Sequence, residues 1–397
     1  MRSLGRVCLF ASAVVYAISL QLTAQQRPSQ QVGRPLDGLT PTLALAFDVG
    51  TRTFLNRYDV ADGLGPVFND ESCVDCHRTP VVGGGSNRTV TRFGRMEGGI
   101  FDPLSELGGS LIQTRGIGTI TTSDGAQNFA GERVPSEANV VARRRSTTIL
   151  GLGLVDAVPD ATWLAIARAE ASADAASAGR PNIVLNLATR EAAVGKFGWK
   201  AQVPTLVQFA GDALMNEIGI TNPDFRDESC PQGDCSRLAF NPAPAMNDDG
   251  RDVGRLADFM TLLAPPERGG ITADVVAGES VFFDIGCGAC HLPSIQTGAN
   301  AIAALNRVTF HPYSDFLLHD MGSLGDGIAQ GQASPREIRT APLWGLRSAG
   351  RLLHDAGATS IDQAILRHDG QARAARDRFA ALDADRSAPL LAFLRSL

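Results

Sequence analysis

Two pentapeptides constrain this chain more than anything else in it: Cys73-Val-Asp-Cys76-His77 and Cys287-Gly-Ala-Cys290-His291. Both read C-x-x-C-H. Two thiols at this spacing reach the two vinyl groups of a haem, and the histidine beside the second thiol faces the iron as proximal ligand. With 7 Cys and 6 His in 397 residues, a chance match to one such pentapeptide has a probability on the order of 10⁻³. Here there are two. A redox-active dithiol or half of a zinc site would also use a C-x-x-C pair, but neither needs a histidine in fifth position twice. The expectation is two covalently bound c-type haems, attached at Cys73, Cys76, Cys287 and Cys290, with His77 and His291 on the irons.

The N-terminus agrees with that chemistry, because c-type haem is attached outside the cytoplasm. Arg2 and Arg6 precede an apolar run from Val7 to Leu22, followed by small residues and then Gln25-Gln26-Arg27-Pro28. This layout predicts a signal peptide over 1–24, cleaved after Ala24 and taking Cys8 with it, and hence a periplasmic or exported protein. An uncleaved anchor is the alternative. The run is short and impure for a spanning helix, and no later stretch is apolar enough for one, so no membrane span is expected in the mature chain. A formal charge of −6 argues against a nucleic-acid binder. Only Lys196 and Lys200 among the 36 basic residues are lysines, a bias that reads as genome composition. The remaining cysteines, Cys230 and Cys235, enclose Pro, Gln, Gly and Asp. In an oxidising compartment a local disulfide is the favoured reading over a metal site, for which no further ligands lie nearby.

The expected fold is mainly α: two cytochrome c-like haem domains with long loops and a few short β-hairpins in the N-terminal half. A flexible lead-in covers 25–40. The first domain spans 41–266 with insertions, and the second spans 267–397, after Pro265-Pro266 and Gly269-Gly270. Helical patterns run from Pro41 to Asn56, from Ala161 to Ala176 with Asp160 as N-cap, over Thr205–Glu217, and over Gly254–Leu263. Thr272–Phe283 then leads straight into Cys287, as the first helix of a small c-type cytochrome delivers its haem turn. Three more helices close the chain, over Ser360–Arg367, Gln371–Leu382 and Ser387–Leu397. Residues 98–135, rich in glycine, read as loops and hairpins.

The histidines are unevenly spread. From Gln25 to Gly286 the only one is His77; His311, His319, His354 and His368 all lie in the last third. The far side of the first iron is therefore left to Met96, Met215, Met246, Met260, Tyr58, a residue of the other half, water, or nothing. An open position there can take oxygen or peroxide, whereas a Met would make a carrier haem. The second iron has several His and Met321 to close it.

These residues place a family resemblance on the page. The stretches Gly63–His77, Gly151–Asp160, Phe197–Lys200, Gly219–Asn222, Tyr313–Gly322 and Arg339–Arg347 resemble the di-haem oxidoreductases, a peroxidase-like family with two C-x-x-C-H motifs, from about Leu43 to the C-terminus. The C-terminal half is distantly similar to bacterial di-haem cytochrome c peroxidases. There, matching Asp362-Gln363-Ala364 to an E-Q-A segment implies His368 as the far ligand of the second haem, in place of a Met. Met321 is the second candidate. His319 and His354 become hydrogen-bonding neighbours of a haem, and His311 a surface residue. The segment His354-Asp-Ala-Gly357 departs from the peroxidases' H-D-G followed by Arg. The peroxidases also set a Gln and a Glu over the reactive haem. The matching region here, Leu150–Trp163, offers Asp156 and Asp160, so Asp156 is the catalytic candidate, with Gln208 and Glu217 as others. On an unbroken helix Gln208 and Glu217 would face opposite ways.

Arg143 to Arg145, Arg336 and Arg339 are candidates to neutralise haem propionates, and Trp199 and Trp344 to lie between the haems. The peroxidase analogy brings a calcium ion, though no liganding loop stands out. The expected function is reduction of hydrogen peroxide. Electrons from a small soluble donor, such as a cytochrome or cupredoxin, would pass from the C-terminal to the N-terminal haem. A di-haem electron carrier without turnover, an oxygenase or oxidase on the same scaffold, and a thiol–disulfide oxidoreductase are the alternatives.

Overall fold

The helix ahead of each C-x-x-C-H turn is built to the same plan in the computed structural model, which describes Gln31 and residues 33–397. The expected signal peptide, with Cys8, lies outside these residues, as does the first part of the lead-in. In chain order the helices are α1 (Pro41–Leu55), α2 (Leu152–Asp156), α3 (Asp160–Ala173), α4 (Leu206–Ala213), α5 (Arg251–Leu262), α6 (Ala273–Asp284), α7 (Ile361–Leu366), α8 (Arg373–Ala380) and α9 (Ala384–Ser396). α1 starts at Thr40, whose hydroxyl accepts from Leu43 N–H; α6 starts at Thr272, whose hydroxyl accepts from Val275 N–H. Each cap satisfies a donor left free at a helix start.

Both helices then carry a glycine four residues before a phenylalanine: Gly50 and Phe54 in α1, Gly278 and Phe282 in α6. A Cβ on Gly50 would run into the Arg255 carbonyl of α5, and one on Gly278 into the Pro389 carbonyl of α9. Glycine lets each pair of backbones touch. One turn later the phenylalanine rings meet the crossing helix, Phe54 with Phe259 at 4.7 Å and Phe282 with Phe393 at 5.2 Å between centroids. The same two rings lie 6.3 Å from His77 and 6.2 Å from His291. The mainly helical, twice-repeated plan is thus present down to the helix crossings.

Short antiparallel pairs make up the β structure. The three-stranded sheet runs Ile100–Asp102, Thr89–Glu97, Val140–Arg145, with Thr89 opposite Arg145 and Gly94 opposite Val140. Hairpins follow at 118–129 and 183–194. Two small pairs also occur in the C-terminal half, besides the hairpins expected in the N-terminal half; one sets Leu318 opposite Arg339 and His319 opposite Ile338.

Helix bounds shift where tertiary contacts override the local pattern. α3 begins at Asp160 itself, with Pro159 in the N-cap position and no side-chain cap, because the Asp160 carboxylate accepts from Val194 N–H instead of capping its own helix. The helix expected over 205–217 is α only to Ala213, then widens into a π-turn over Leu214–Ile218. Gln31–Leu397 form one compact unit. Its larger core joins Phe47, Phe54, Leu206 and Phe259 to Phe310, Phe316 and Trp344 from beyond residue 266. A smaller one packs Phe282, Ile285, Tyr313 and Phe393. Each such side chain, fully buried, contributes about 1.5–3 kcal/mol. Among the described residues no helix is long and apolar enough to cross a membrane.

Candidate functional site

Each C-x-x-C-H segment folds as a 3-10 turn, over Cys73–Asp75 and Cys287–Ala289. The Cys73 carbonyl accepts from Cys76 N–H (3.2 Å) and His77 N–H (3.1 Å); the Cys287 carbonyl accepts from Cys290 N–H (3.4 Å) and His291 N–H (3.0 Å). None of the four thiols is in a disulfide. Burial pushes Cys73, Cys76 and Cys287 up to about 12 and raises Cys290 as well. A redox dithiol works through a low-pKa thiolate, the opposite of the shift at these four thiols. Cys230 and Cys235 are joined in a disulfide, with Cα atoms 4.4 Å apart.

Three histidines share one arrangement. Nδ1 of His77 faces the Gly84 carbonyl at 3.1 Å, that of His291 the Tyr313 carbonyl at 2.8 Å, and that of His368 the Ala364 carbonyl at 2.8 Å. An Nδ1–H donated to a carbonyl leaves the Nε2 lone pair for a metal. Burial lowers all three, His291 to about 4, which keeps the neutral, ligating form. His319 is different. Its Nε2 lies 2.8 Å from Asp315 Oδ2 and its Nδ1 3.5 Å from Cys290 Sγ. Burial opposes its charge, but Asp315 outweighs that and holds it well above the usual histidine range. With both nitrogens engaged it is a neighbour of the second turn. Cys290, Asp315 and His319 are also the cluster of metal-capable groups among the described residues. His311 is exposed, its Nδ1 on the Pro293 carbonyl.

A cavity of about 360 Å³ brings several of these groups together. His291 and His368 both line it, with Cys287, Cys290 and Met321. It continues past Trp199 and Trp344 to Arg145 and to residues 79–80 and 85–87, which follow the first turn. Its cations suit a carboxylate-bearing ligand. Among the described residues Arg145 makes no ion pair, and its buried Nε has no partner. Arg339 donates only to the Gly198 and Thr340 carbonyls. Arg339 is buried with Asp315 acting on it, and Arg145 is part-buried; a desolvated guanidinium is stabilised by an anion, and haem brings two propionates. The other arginines are committed elsewhere: Arg144 to Asp326 and Gln330, Arg336 to Asp320 at the surface, with Arg143 exposed. The cysteine turns, the oriented imidazoles and these unpaired cations all fit haem.

Residues 122–397 match the family described as "Di-haem oxidoreductase, putative peroxidase". The chain belongs to the di-haem oxidoreductase family. Two haems come with that membership. The second C-x-x-C-H turn lies inside the matched residues and the first precedes them. Solved structures of similar fold include Kuenenia stuttgartiensis hydrazine synthase, at 14% identity and TM-score 0.40 over 98% of this chain and 100% of that one. A MauG-like protein associated with microbial copper homeostasis has 15% identity and TM-score 0.40 over 94% of each chain. The diheme peroxidase BthA from Burkholderia thailandensis E264 has 16% identity and TM-score 0.40 over 92% and 87%. No curated relative matches the sequence.

Within this oxidoreductase the carboxylates separate. Asp156 ends α2, where its Oδ2 accepts from Leu206 N–H at 3.4 Å and its Oδ1 lies 3.8 Å from Lys196 Nζ. It helps start α4 and balances a buried lysine. Gln208 bonds the hairpin at Leu185 and Leu187. The π-turn instead sends Glu217 toward the first turn. Asn69 Nδ2 donates to its Oε2 at 2.8 Å, and its charge acts on Cys76. Burial raises Glu217, and Arg92 pulls it back down. Arg92 and Asp212, which complete this cluster, carry no local sequence signal. Of the sixth-ligand candidates, Met246 is 45% exposed, Met215 and Met260 are core residues, and the Tyr58 hydroxyl donates to Asp252 Oδ2 at 3.1 Å. Met96 sits in the sheet opposite Phe101. Both lysines are buried.

Proposed function

We propose that this oxidoreductase is an exported di-haem enzyme that reduces hydrogen peroxide with electrons from a small soluble donor protein. The carrying observation is the single cavity lined by His291 and His368 that reaches the segment beside the first turn. One space thus holds a two-histidine site and touches a site that has only His77.

Bound haem supplies the redox and oxygen chemistry. The chain's part is as follows. Cys73, Cys76, Cys287 and Cys290 would form the thioethers. His77 and His291 would present Nε2 to the irons, oriented by the Gly84 and Tyr313 carbonyls. His368 Nε2 would hold the second iron, with Met321 as the second candidate, which would suit that haem to accept electrons. From Gln25 to Gly286 no histidine other than His77 is available, which would suit the first haem to bind the small oxidant. Reducing peroxide to two waters consumes two protons and two electrons. Glu217, with Oε2 held by Asn69, passes protons through Oε1. Trp199 and Trp344 bridge the space the electrons cross.

The deciding experiment counts haems per chain by pyridine haemochrome, then follows peroxide consumption with a reduced small cytochrome, alongside electron paramagnetic resonance. Two haems, one of them high-spin, with peroxide-dependent donor oxidation are expected. Two low-spin haems that bind neither cyanide nor peroxide at any redox poise would leave only an electron carrier.

A further inference from the structure

Glu170, half-buried near the end of α3, joins a line of buried groups that ends at the second C-x-x-C-H turn. Its Oε2 accepts from Gly179 N–H at 2.9 Å. Gly179 lies directly against His319: a Cβ there would come within 2.6 Å of the imidazole Nε2. The next residue, Arg180, is bridged backbone to backbone with Leu318, which pins this turn to the segment carrying His319. His319 Nε2 lies 2.8 Å from Asp315 Oδ2, and His319 Nδ1 lies 3.5 Å from Cys290 Sγ. Asp315 and His319 are 0% and 2% exposed.

Acceptors outnumber protons along this line. Asp315 uses both of its oxygens: Oδ1 accepts from Leu317 N–H at 2.8 Å, and Oδ2 faces His319. The other Glu170 oxygen, Oε1, is buried without a partner. Asp315 acts on Glu170 both as a charge and as a hydrogen-bonding neighbour. Two carboxylates that meet as acceptors leave an oxygen orphaned, and a proton on one of them satisfies it. With His319 charged, the trio is neutral while Glu170 carries that proton and holds one negative charge when it does not. Burial and the Asp315 charge push the Glu170 carboxyl up to about 7, against the Gly179 N–H and His319. Its charge acts in turn on Cys290. The charged groups around it are committed elsewhere. Asp174, at the end of α3, is bonded to Ser177, and Arg180 to Glu337. Lys196 and Asp160 pair at the start of α3, about 15 Å along the helix. Arg339 is buried within reach of the Asp315 charge. Gln371, which is uncharged, covers the same turn through the Ala178 carbonyl.

We propose that Glu170 is the proton-uptake group of the second haem: as one electron from the donor protein enters that haem, the Glu170 carboxylate binds one proton from solvent, and it gives the proton back when the electron moves on. No other bond forms or breaks. Asp315 and His319 are positioning residues that set the charge Glu170 works against. A ferrous haem is one charge less positive than a ferric one, so an anion behind its turn opposes reduction. By linkage, reduction favours the protonated carboxyl to the same extent. The proposal rests on the two-haem reading above, with electrons entering at the second haem.

The holoprotein is compared with E170Q and E170D. Haem content comes from pyridine haemochrome, and both midpoint potentials from spectroelectrochemistry between about pH 5 and 9. Proton uptake on reduction is read with an indicator dye in weakly buffered solution. In the wild type the reduced-to-oxidised ratio of the second haem at fixed poise falls about tenfold as pH rises through the Glu170 range, about 59 mV. Reduction at about pH 7 takes up protons. E170Q cannot ionise, so its second-haem potential stays near the wild-type acid-side value at every pH, and the uptake is lost. E170D keeps a carboxyl and keeps a fall. A merely structural role for Glu170 would move the potential without removing its pH dependence. A wild-type fall retained in E170Q at full haem content overturns the proposal and gives the titration to another group, such as a propionate. Reduction of the wild type without proton uptake in that range overturns it independently of any variant. A haem count other than two overturns the reading beneath it.

Discussion

Lys200 Nζ lies 2.9 Å from Asp326 Oδ1 at a point where neither side chain is more than 1% exposed. Arg144 Nε reaches the other oxygen of the same carboxylate at 2.7 Å. One buried anion thus serves two cations from the first half while standing in the second. Removing it strands both. D326N should lose about 3–5 kcal/mol of stability, read as a fall in the denaturant midpoint followed by haem absorption. Burial raises the Asp326 carboxyl, but Arg144 and Lys200 outweigh that and hold it below the usual range. The contribution is therefore complete above the ordinary carboxylate range and is lost as pH falls through the depressed folded value. The variant should lose the acid-side part of the wild-type stability curve.

Glu217 and Asp156 should part company under mutation. E217Q is expected to slow peroxide turnover about hundredfold or more, the lower range for a positioned acid–base group, with haem content and spin state preserved. D156N should act on stability, because it leaves the Lys196 ammonium short of a counterion, and turnover should stay within about threefold. If D156N proved the slower enzyme at equal haem content, the proton would have to be routed through α2 instead.

His368 should determine the spin state of the second haem. H368G is expected to convert one haem from low-spin to high-spin and to raise its affinity for added imidazole about tenfold or more, since the site no longer competes with a tethered ligand. Imidazole should restore the low-spin spectrum. M321A should leave it unchanged. The reverse pattern would make Met321 the ligand.

Glu228 supplies a pH dependence unrelated to haem. Burial pushes its carboxyl up to about 7, against one hydrogen bond from Asn241, and its Oε2 is buried without a partner. The native state thus holds this proton more tightly than the unfolded chain. Its contribution is complete below about pH 4.3 and is lost as pH rises through about 7. E228Q should be more stable than wild type at pH 8 by on the order of 1–2 kcal/mol and should flatten the curve between about pH 5 and 7.

Much of the site was legible because it is local. A C-x-x-C-H turn spans five residues and closes on its own carbonyl, so spacing alone announces it. The Cys230–Cys235 bridge is equally short-range. The helix starts at Thr272 and Ser360 follow from a hydroxyl three residues before the N–H it accepts from. The repeated plan pairs Gly50 and Phe54 of α1 with a second glycine and phenylalanine in α6. The matching Gly278 and Phe282 gain their meaning only when α9 crosses α6.

Asp156 was attractive on chain position alone, but its partner Lys196 is a residue of a distant loop that burial brings to it. Gln208 and Glu217 could not be ranked until their partners were known, the Leu185–Leu187 hairpin for Gln208 and Asn69 for Glu217. The partners of the two lysines are likewise remote in sequence: Lys200 pairs with Asp326, and Lys196 with Asp156 and Asp160. Local spacing was enough for the cofactor chemistry, the turns and most of the helices, because their hydrogen bonds close within a few residues. Which cations stand unpaired on the cavity wall, which carboxylate serves as a counterion and which stands beside the first turn were decided by contacts spanning 40 to 180 residues. Desolvation and charge pairing act only once those contacts exist.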